Sequence, residues 1–237
     1  MKFYSAWYCP FAQRAWITLL HKQLDFEYIE VDPYRKSRWW LEISRNSAKV
    51  PVIVQPSTND TGNTTIIDSS RIVEYLEDLA PEINPILPET PNYRAEQRFW
   101  MDHVNTSIVP YFYRFLKAKD AGNYRNDSRK ALISGLHDLA AAMSPNGPYF
   151  SGARIGAVDI LLAPFAYRIN TLLGHYRGFE LPVDGEVWPR YQTWYQAMLK
   201  EPNFRATSLD HDNYRQRLID HYFPYSQGSG QQDVTET

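Results

Sequence analysis

Cysteine is almost missing from this chain: Cys9 is the only one in 237 residues. One thiol excludes an internal disulfide framework and a two-cysteine redox pair, and it fits a reducing compartment. Excess charge is missing too. With a formal net charge of −2 the chain carries no basic field of the kind that holds nucleic acid. Long hydrophobic runs are absent: residues 157–166 contain Asp159 and fall well short of the ~20 apolar residues a bilayer span needs. No charged leader followed by an apolar core opens the sequence, so a cytosolic chain without a membrane anchor is expected. Histidine is sparse, and none of the six is paired at i+3 or i+4, so no metal site is expected. Aromatic residues, by contrast, are plentiful. At 15%, with seven tryptophans, they point to a broad apolar surface or pocket besides the core.

Two regions of different character follow one another. Residues 2–6 read as a strand and 10–22 as a helix with a buried stripe through Phe11, Ala15 and Leu19. Residues 26–31 alternate as a second strand, and strand–helix–strand implies a parallel crossover. A short helix at 37–44 and a strand at 50–54 come next. The return strand at 64–67 makes a hairpin with a long connection from Gln55 to Thr65, turning at Asn59–Asn63, and a helix follows at 69–79. The order βαβαββα thus fills residues 1–80. Pro81, Pro85, Pro88 and Pro91 deny regular hydrogen bonding to 81–91, which reads as a linker. Residues 92–223 are all helical: 93–119 with a kink at Pro110, 128–143, 157–173, 189–199 and 213–223. The apolar 157–173 helix belongs at the middle of a bundle. The polar tail 224–237 is expected to be disordered.

Chemistry gathers at the first strand–helix junction, Tyr8-Cys9-Pro10-Phe11-Ala12-Gln13-Arg14. Pro10 suits the first helical position, which places Cys9 at the N-cap, facing unpaired backbone N–H groups and the positive end of the helix dipole. That setting favours the nucleophilic thiolate. A lone cysteine is more often a small buried apolar residue, but this position favours a reactive one. Ala12 stands where a CxxC motif has its second cysteine, so no resolving thiol exists in the chain.

Two further stretches converge on Cys9. In Lys49-Val50-Pro51, a cis bond before Pro51 would turn the Val50 backbone outward to pair with an extended peptide; a trans proline at a strand edge is the equal alternative. In Asp68-Ser69-Ser70, Ser69 is a good N-cap. The same helix start could hold a carboxylate, and Asp68 an ammonium group, together an amino-acid head group.

On these residues the chain resembles the cytosolic glutathione transferases, in particular their cysteine-containing omega and lambda classes. Cys9 to Arg14 resembles the active-site motif, Lys49-Val50-Pro51 the cis-proline loop, and Asp68-Ser69 with Ile72 and Glu74-Tyr75-Leu76 the γ-glutamyl-binding strand and helix. Gly152, Asp159-Ile160, Pro164-Phe165 and Arg168 resemble the central helix of the second domain. The resemblance implies an α/β thioredoxin-like N-terminal domain joined to an all-α C-terminal domain, with glutathione as co-substrate. It makes Cys9 the nucleophile that forms a mixed disulfide with glutathione. Phe11 packs beside it, Val50 in the glutathione-binding loop Lys49-Val50-Pro51 pairs its backbone with the cysteinyl part, and Asp68 and Ser69 hold the γ-glutamyl head. Lys36 meets the glycyl carboxylate or is a plain surface lysine. A second-substrate pocket for small aromatic or ketone adducts is expected between the domains, with Trp7, Tyr8, Tyr111, Phe112, Phe115, Arg168, Trp188 and Tyr214 as candidates. Arg168, on the polar side of its helix, and Tyr214 lead them. A homodimer is the family's habit.

The sequence departs from that pattern in three places: the long hairpin from Gln55 to Thr65, to which no function is assigned, and two single residues. Asp68 replaces the usual Glu, and Gly156 replaces the usual Ser or Thr that caps the central helix, leaving Asp159 to meet the helix start as a structural residue. The expected activity is glutathione-dependent thiol transfer, with deglutathionylation and dehydroascorbate reduction as its forms. The rival is a carrier of aromatic metabolites, for which the aromatic content speaks. Membrane insertion, as in the chloride-channel-like relatives of the omega class, has no apolar segment behind it.

Overall fold

In the computed structural model, which describes residues 1–56 and 62–230, the chain separates into two units, Met1–Pro85 and Ile86–Gly230. The first unit follows the expected order: β1 (Lys2–Ser5), α1 (Pro10–His21), β2 (Glu27–Glu30), α2 (Arg38–Ile43), β3 (Val52–Gln55), β4 (Thr64–Ile67) and α3 (Ser69–Leu79). The sheet runs β2-β1-β3-β4, with β1 parallel to β2 and antiparallel to β3, and β3 and β4 form the hairpin. The expected turn residues 57–61 lie outside the described residues.

Strand alternation divides the core in two. Phe3 and Ile53 point to one face, where Ala15 and Leu19 of α1 and Ile72 and Leu76 of α3 close over them. Tyr4 and Val52 point to the other, against Trp40 of α2. Burying each large side chain contributes roughly 1.5–3 kcal/mol, so both faces hold the sheet that carries Cys9. Pro51 falls just before β3 rather than inside it, which removes the conflict between a proline and an internal strand.

The second unit contains α4 (Pro91–His103), α5 (Val109–Lys117), α6 (Asn123–Ala142), α7 (Ala157–Arg168), α8 (Gly174–Arg177), α9 (Trp188–Lys200), α10 (Pro202–Ala206) and α11 (Tyr214–Ser226). Three expectations need correction. First, the 93–119 helix is not one continuous α-helix: it opens into a π-helical turn over Val104–Ile108, and Pro110 then sits in the first turn of α5, where its missing N–H costs nothing. The wider turn also suits the apolar stripe. Residues four apart drift by about 40° per step on a 3.6-residue helix, and a turn of larger circumference takes up part of that drift. Val104, Ile108, Phe112 and Leu116 are accordingly all buried. Second, a matching π turn over Ile169–Leu173 ends α7 before Leu173. Third, Pro224 does not end the last helix, which continues to Ser226; only residues 231–237 of the expected tail lie outside the described residues.

Every residue of α7 is buried, and the helix packs against α4 and α9. Its start is held by Asp159. Oδ2 accepts the N–H of Gly156 at 2.8 Å, while Oδ1 accepts the N–H of Phe150 at 2.8 Å and Nε1–H of Trp194 at 2.7 Å. The glycine N-cap lacks a side chain, so this one carboxylate does the capping and ties α7 to α9.

Candidate active site

Cys9 is delivered by a tight turn. After β1 the chain folds back through Trp7 and Tyr8, and the N–H of Cys9 donates to Ala6 O at 2.9 Å. Cys9 is the N-cap of α1, with extended backbone angles of −78° and 118° and Pro10 directly after it. Its carbonyl accepts the Gln13 N–H at 3.0 Å, and its half-buried thiol points at Val50 O, 4.0 Å away. The Val50–Pro51 bond is cis, one of the two alternatives left open by the sequence. Among the described residues no hydrogen bond leaves the Val50 N–H.

The start of α3 differs from expectation by one residue. Asp68, not Ser69, is the N-cap: it takes a left-handed φ of 77°, and its Oδ1 accepts the N–H groups of Ser70 at 3.1 Å and Arg71 at 3.2 Å. Ser69 is the first helical residue and is buried, with its Oγ accepting from Arg14 Nη1 at 3.2 Å. The arginine decides the register. Both residues are good caps by type, but turning Ser69 inward gives the enclosed guanidinium a hydrogen-bond acceptor.

Arg14 belongs to the active-site motif, yet its type alone gave it no role. It is 0% exposed, stands 5.2 Å over the Phe11 ring, and ties the helix of Cys9 to the start of α3. Two turns on, Lys22 pairs with Glu77 and donates to Ala80 O at 3.1 Å, with both charged side chains enclosed. Arg14, Thr18 and Lys22 sit at i, i+4 and i+8, as do Ser69, Val73 and Glu77 on α3. A polar line on the buried side of α1 was therefore visible as spacing, although its partner line, about 55 residues away, was not.

Of the other expected glutathione contacts, Val50 and Pro51 are buried, Phe11 is half-buried, and Lys36, Lys49 and Asp68 are exposed. Trp7 and Tyr8 are half-buried with their rings 5.7 Å apart edge to face, and Tyr8 stacks on Tyr34 at 6.1 Å, a neighbour missed in the sequence. The candidates in the second unit fare differently. Phe112, Phe115, Arg168, Trp188 and Tyr214 are all buried in its core, and only Tyr111 is half-buried. Arg168 is the clearest correction. The helix offers no polar side, because all of α7 is enclosed, and the guanidinium donates inward to Pro164 O at 2.9 Å and Tyr214 OH at 3.3 Å. These aromatic residues fill space between helices, as Phe112 does against Phe165 and Phe115 against Phe179. Among the described residues no three His, Cys, Asp or Glu side chains gather to hold a metal ion, and no helix is long and apolar enough to cross a membrane.

Comparison with known proteins agrees with this architecture. Residues 3–85 match the family model of the glutathione S-transferase N-terminal domain, and residues 120–197 that of the C-terminal domain. The chain is 34% identical over 176 residues, 74% of each chain, to the probable cytosolic glutathione S-transferase DHAR1 of Oryza sativa subsp. japonica. It is 28% identical to a probable glutathione transferase omega-2 of Caenorhabditis briggsae, covering 87% of this chain and 80% of that one. Among solved structures, glutathione transferase Omega 3C from Trametes versicolor superposes with a TM-score of 0.77 at 32% identity, over 95% of this chain and 91% of that chain. With a thioredoxin-like unit presenting a cysteine at a helix start, followed by a helical unit, the chain belongs to the glutathione transferase family.

Proposed function

We propose that this protein is a glutathione-dependent thiol transferase that works through Cys9. The observation that carries the proposal is the placement of the only thiol of the sequence at the N-cap of α1, 4.0 Å from Val50 O. A hydroxyl at that position would hold a glutathione thiolate for attack on an electrophile; a cysteine thiolate instead attacks the sulfur of a glutathionyl disulfide. The Cys9 thiolate attacks the glutathionyl sulfur of R–S–SG, and RS⁻ leaves. A glutathione thiolate then attacks the Cys9–S–SG bond, releasing oxidised glutathione and regenerating the Cys9 thiolate. The chain has no second cysteine for that step, so the resolving thiol comes from glutathione. Dehydroascorbate reduction needs one more thiol: two glutathiones supply two electrons and two protons to the substrate and leave as one oxidised glutathione, again by way of the Cys9 mixed disulfide.

In this proposal the Val50 N–H and C=O pair with the cysteinyl part of glutathione, Phe11 packs beside it, and Lys49 and Pro51 shape the loop. Asp68 holds the α-ammonium of the γ-glutamyl residue with Oδ2, which takes no part in the N-cap, and Ser69 completes the head-group site. Lys36 meets the glycyl carboxylate. Small aromatic or ketone adducts rest on Trp7 and Tyr8. A cytosolic homodimer is part of the same proposal. The carrier reading gains nothing from the relatives, which are named as transferases.

Asp68→Asn tests the head-group assignment. Asparagine is an equal N-cap and tolerates a left-handed φ, so the thermal midpoint stays within about 2 °C. Loss of the charge raises KM for glutathione by roughly tenfold, the value of one charge-assisted hydrogen bond. An unchanged KM would remove Asp68 from the site.

A further inference from the structure

The turn that delivers Cys9 is anchored from the neighbouring strand. Ser5 and Glu30 are partners at the end of the parallel β1–β2 ladder, and beyond them β1 leaves the sheet. Past that end the Trp7 N–H donates to the Glu30 carboxylate, with Oε1 at 3.1 Å. The other oxygen, Oε2, accepts the phenol of Tyr28 at 2.5 Å. Tyr28 is itself fixed, its ring 4.7 Å from Trp16 of α1 and 5.7 Å from Phe3 of β1. Burial, with the Glu30 hydrogen bond as a second cause, pushes its hydroxyl well above the ordinary tyrosine range, so it stays a proton donor. Trp7 and Tyr8 are the two central residues of the turn closed by Cys9 N–H and Ala6 O. A carboxylate on the first of them therefore governs the placement of the residue after the second.

We propose that Glu30 is a positioning residue for the Cys9 nucleophile: held by Tyr28, its carboxylate fixes the Trp7–Tyr8 turn through the Trp7 N–H and so sets where the thiol sits at the start of α1. The proposal rests on the thiol-transferase reading for its kinetic consequence but not for its structural one. Glu30 acts through its hydrogen bonds to the Trp7 N–H and the Tyr28 phenol. Its influence is geometric, and misplacing a nucleophile by even an ångström is enough to slow exchange severely.

The test uses the full chain with Glu30→Ala and Glu30→Gln, read by four measurements: hydrogen exchange at the Trp7 amide, iodoacetamide alkylation of Cys9, steady-state thiol transfer, and thermal midpoint. Glu30→Ala exposes the Trp7 amide to faster exchange and lowers both the alkylation rate and kcat roughly tenfold, with KM for glutathione within twofold. Glu30→Gln restores most of the loss, because its carbonyl accepts the Trp7 N–H and its amide donates to the Tyr28 oxygen. Should Glu30→Ala not fold, Tyr28→Phe, which frees the other end of the carboxylate, shows the same signs at smaller size. Unchanged alkylation and kcat in a variant with a freely exchanging Trp7 amide would overturn the proposal. So would a Gln variant as impaired as the Ala variant, since that outcome assigns the effect to charge rather than to position. A chain without thiol transfer in its parent form, but with the alkylation pattern above, would sink the activity and leave the positioning role standing.

Discussion

Replacing Cys9 with serine lowers thiol transfer by roughly three or more orders of magnitude, because the step that forms the mixed disulfide has no other thiol to use. The exchange is nearly isosteric and leaves α1 intact, since Ser is a better N-cap than Cys and Pro10 still opens the helix. The same variant gains conjugation activity toward an aryl halide. A serine hydroxyl at the helix start can donate to a glutathione thiolate without being consumed by exchange, so the bound thiolate becomes the nucleophile. Thiol transfer and conjugation measured side by side on parent and variant check both statements. Full thiol transfer by the serine variant would remove Cys9 from the mechanism, and no rise in conjugation would refute the second expectation alone.

Asp159→Ala has the largest expected effect on stability. The substitution leaves the N–H groups of Phe150 and Gly156 and the indole of Trp194 without their acceptor, all inside the second unit. Three stranded buried donors cost about 3–5 kcal/mol, which lowers the thermal midpoint by on the order of 10 °C for a chain of this size. The loss depends on pH in a direction opposite to that of a surface carboxylate. Burial raises the Asp159 carboxyl to about 6, and its three donors and Arg190 only partly oppose this. Because the folded value lies above the unfolded one, the native protein binds the extra proton between about pH 4 and 6. The stability this supplies is complete below that window and lost as pH rises through about 6, amounting to ~3 kcal/mol at pH 7. The gap between parent and Ala variant is therefore wider at pH 5 than at pH 7.5. Thermal unfolding at the two pH values decides it, and a gap that narrows on acidification contradicts the picture of one buried, raised carboxyl.

Local signals were the legible ones. Proline after cysteine announced a helix start, and the alternation and spacing of apolar residues gave the element order of the first unit. What stayed hidden depended on partners distant in sequence. Asp68 and Ser69 are both good caps, and Arg14, 55 residues earlier, chooses between them. Glu30 is an ordinary exposed strand residue until the Trp7 N–H, 23 positions away, is placed against it. Aromatic residues at helical spacing gave no sign of whether they line a surface or a core; Phe112, Phe115 and Trp188 turned out to be core. Arg168 looked polar enough to mark a surface. Its carbonyl and phenol acceptors, Pro164 and Tyr214, let a guanidinium sit inside the bundle instead. The short α10, only five residues from Pro202, has no periodicity to detect and is capped by Glu201 accepting the Phe204 N–H at 2.9 Å.

A reactive thiol at Cys9 inside a working glutathione site is visible by intact-mass spectrometry. The protein is incubated with oxidised glutathione, weighed, then treated with reduced glutathione and weighed again, with Cys9→Ser alongside. One glutathionyl adduct is expected on the parent chain, with its complete loss on reduction, and none on the serine variant. A well-folded parent that takes up no adduct, or keeps it in the presence of reduced glutathione, would contradict this expectation.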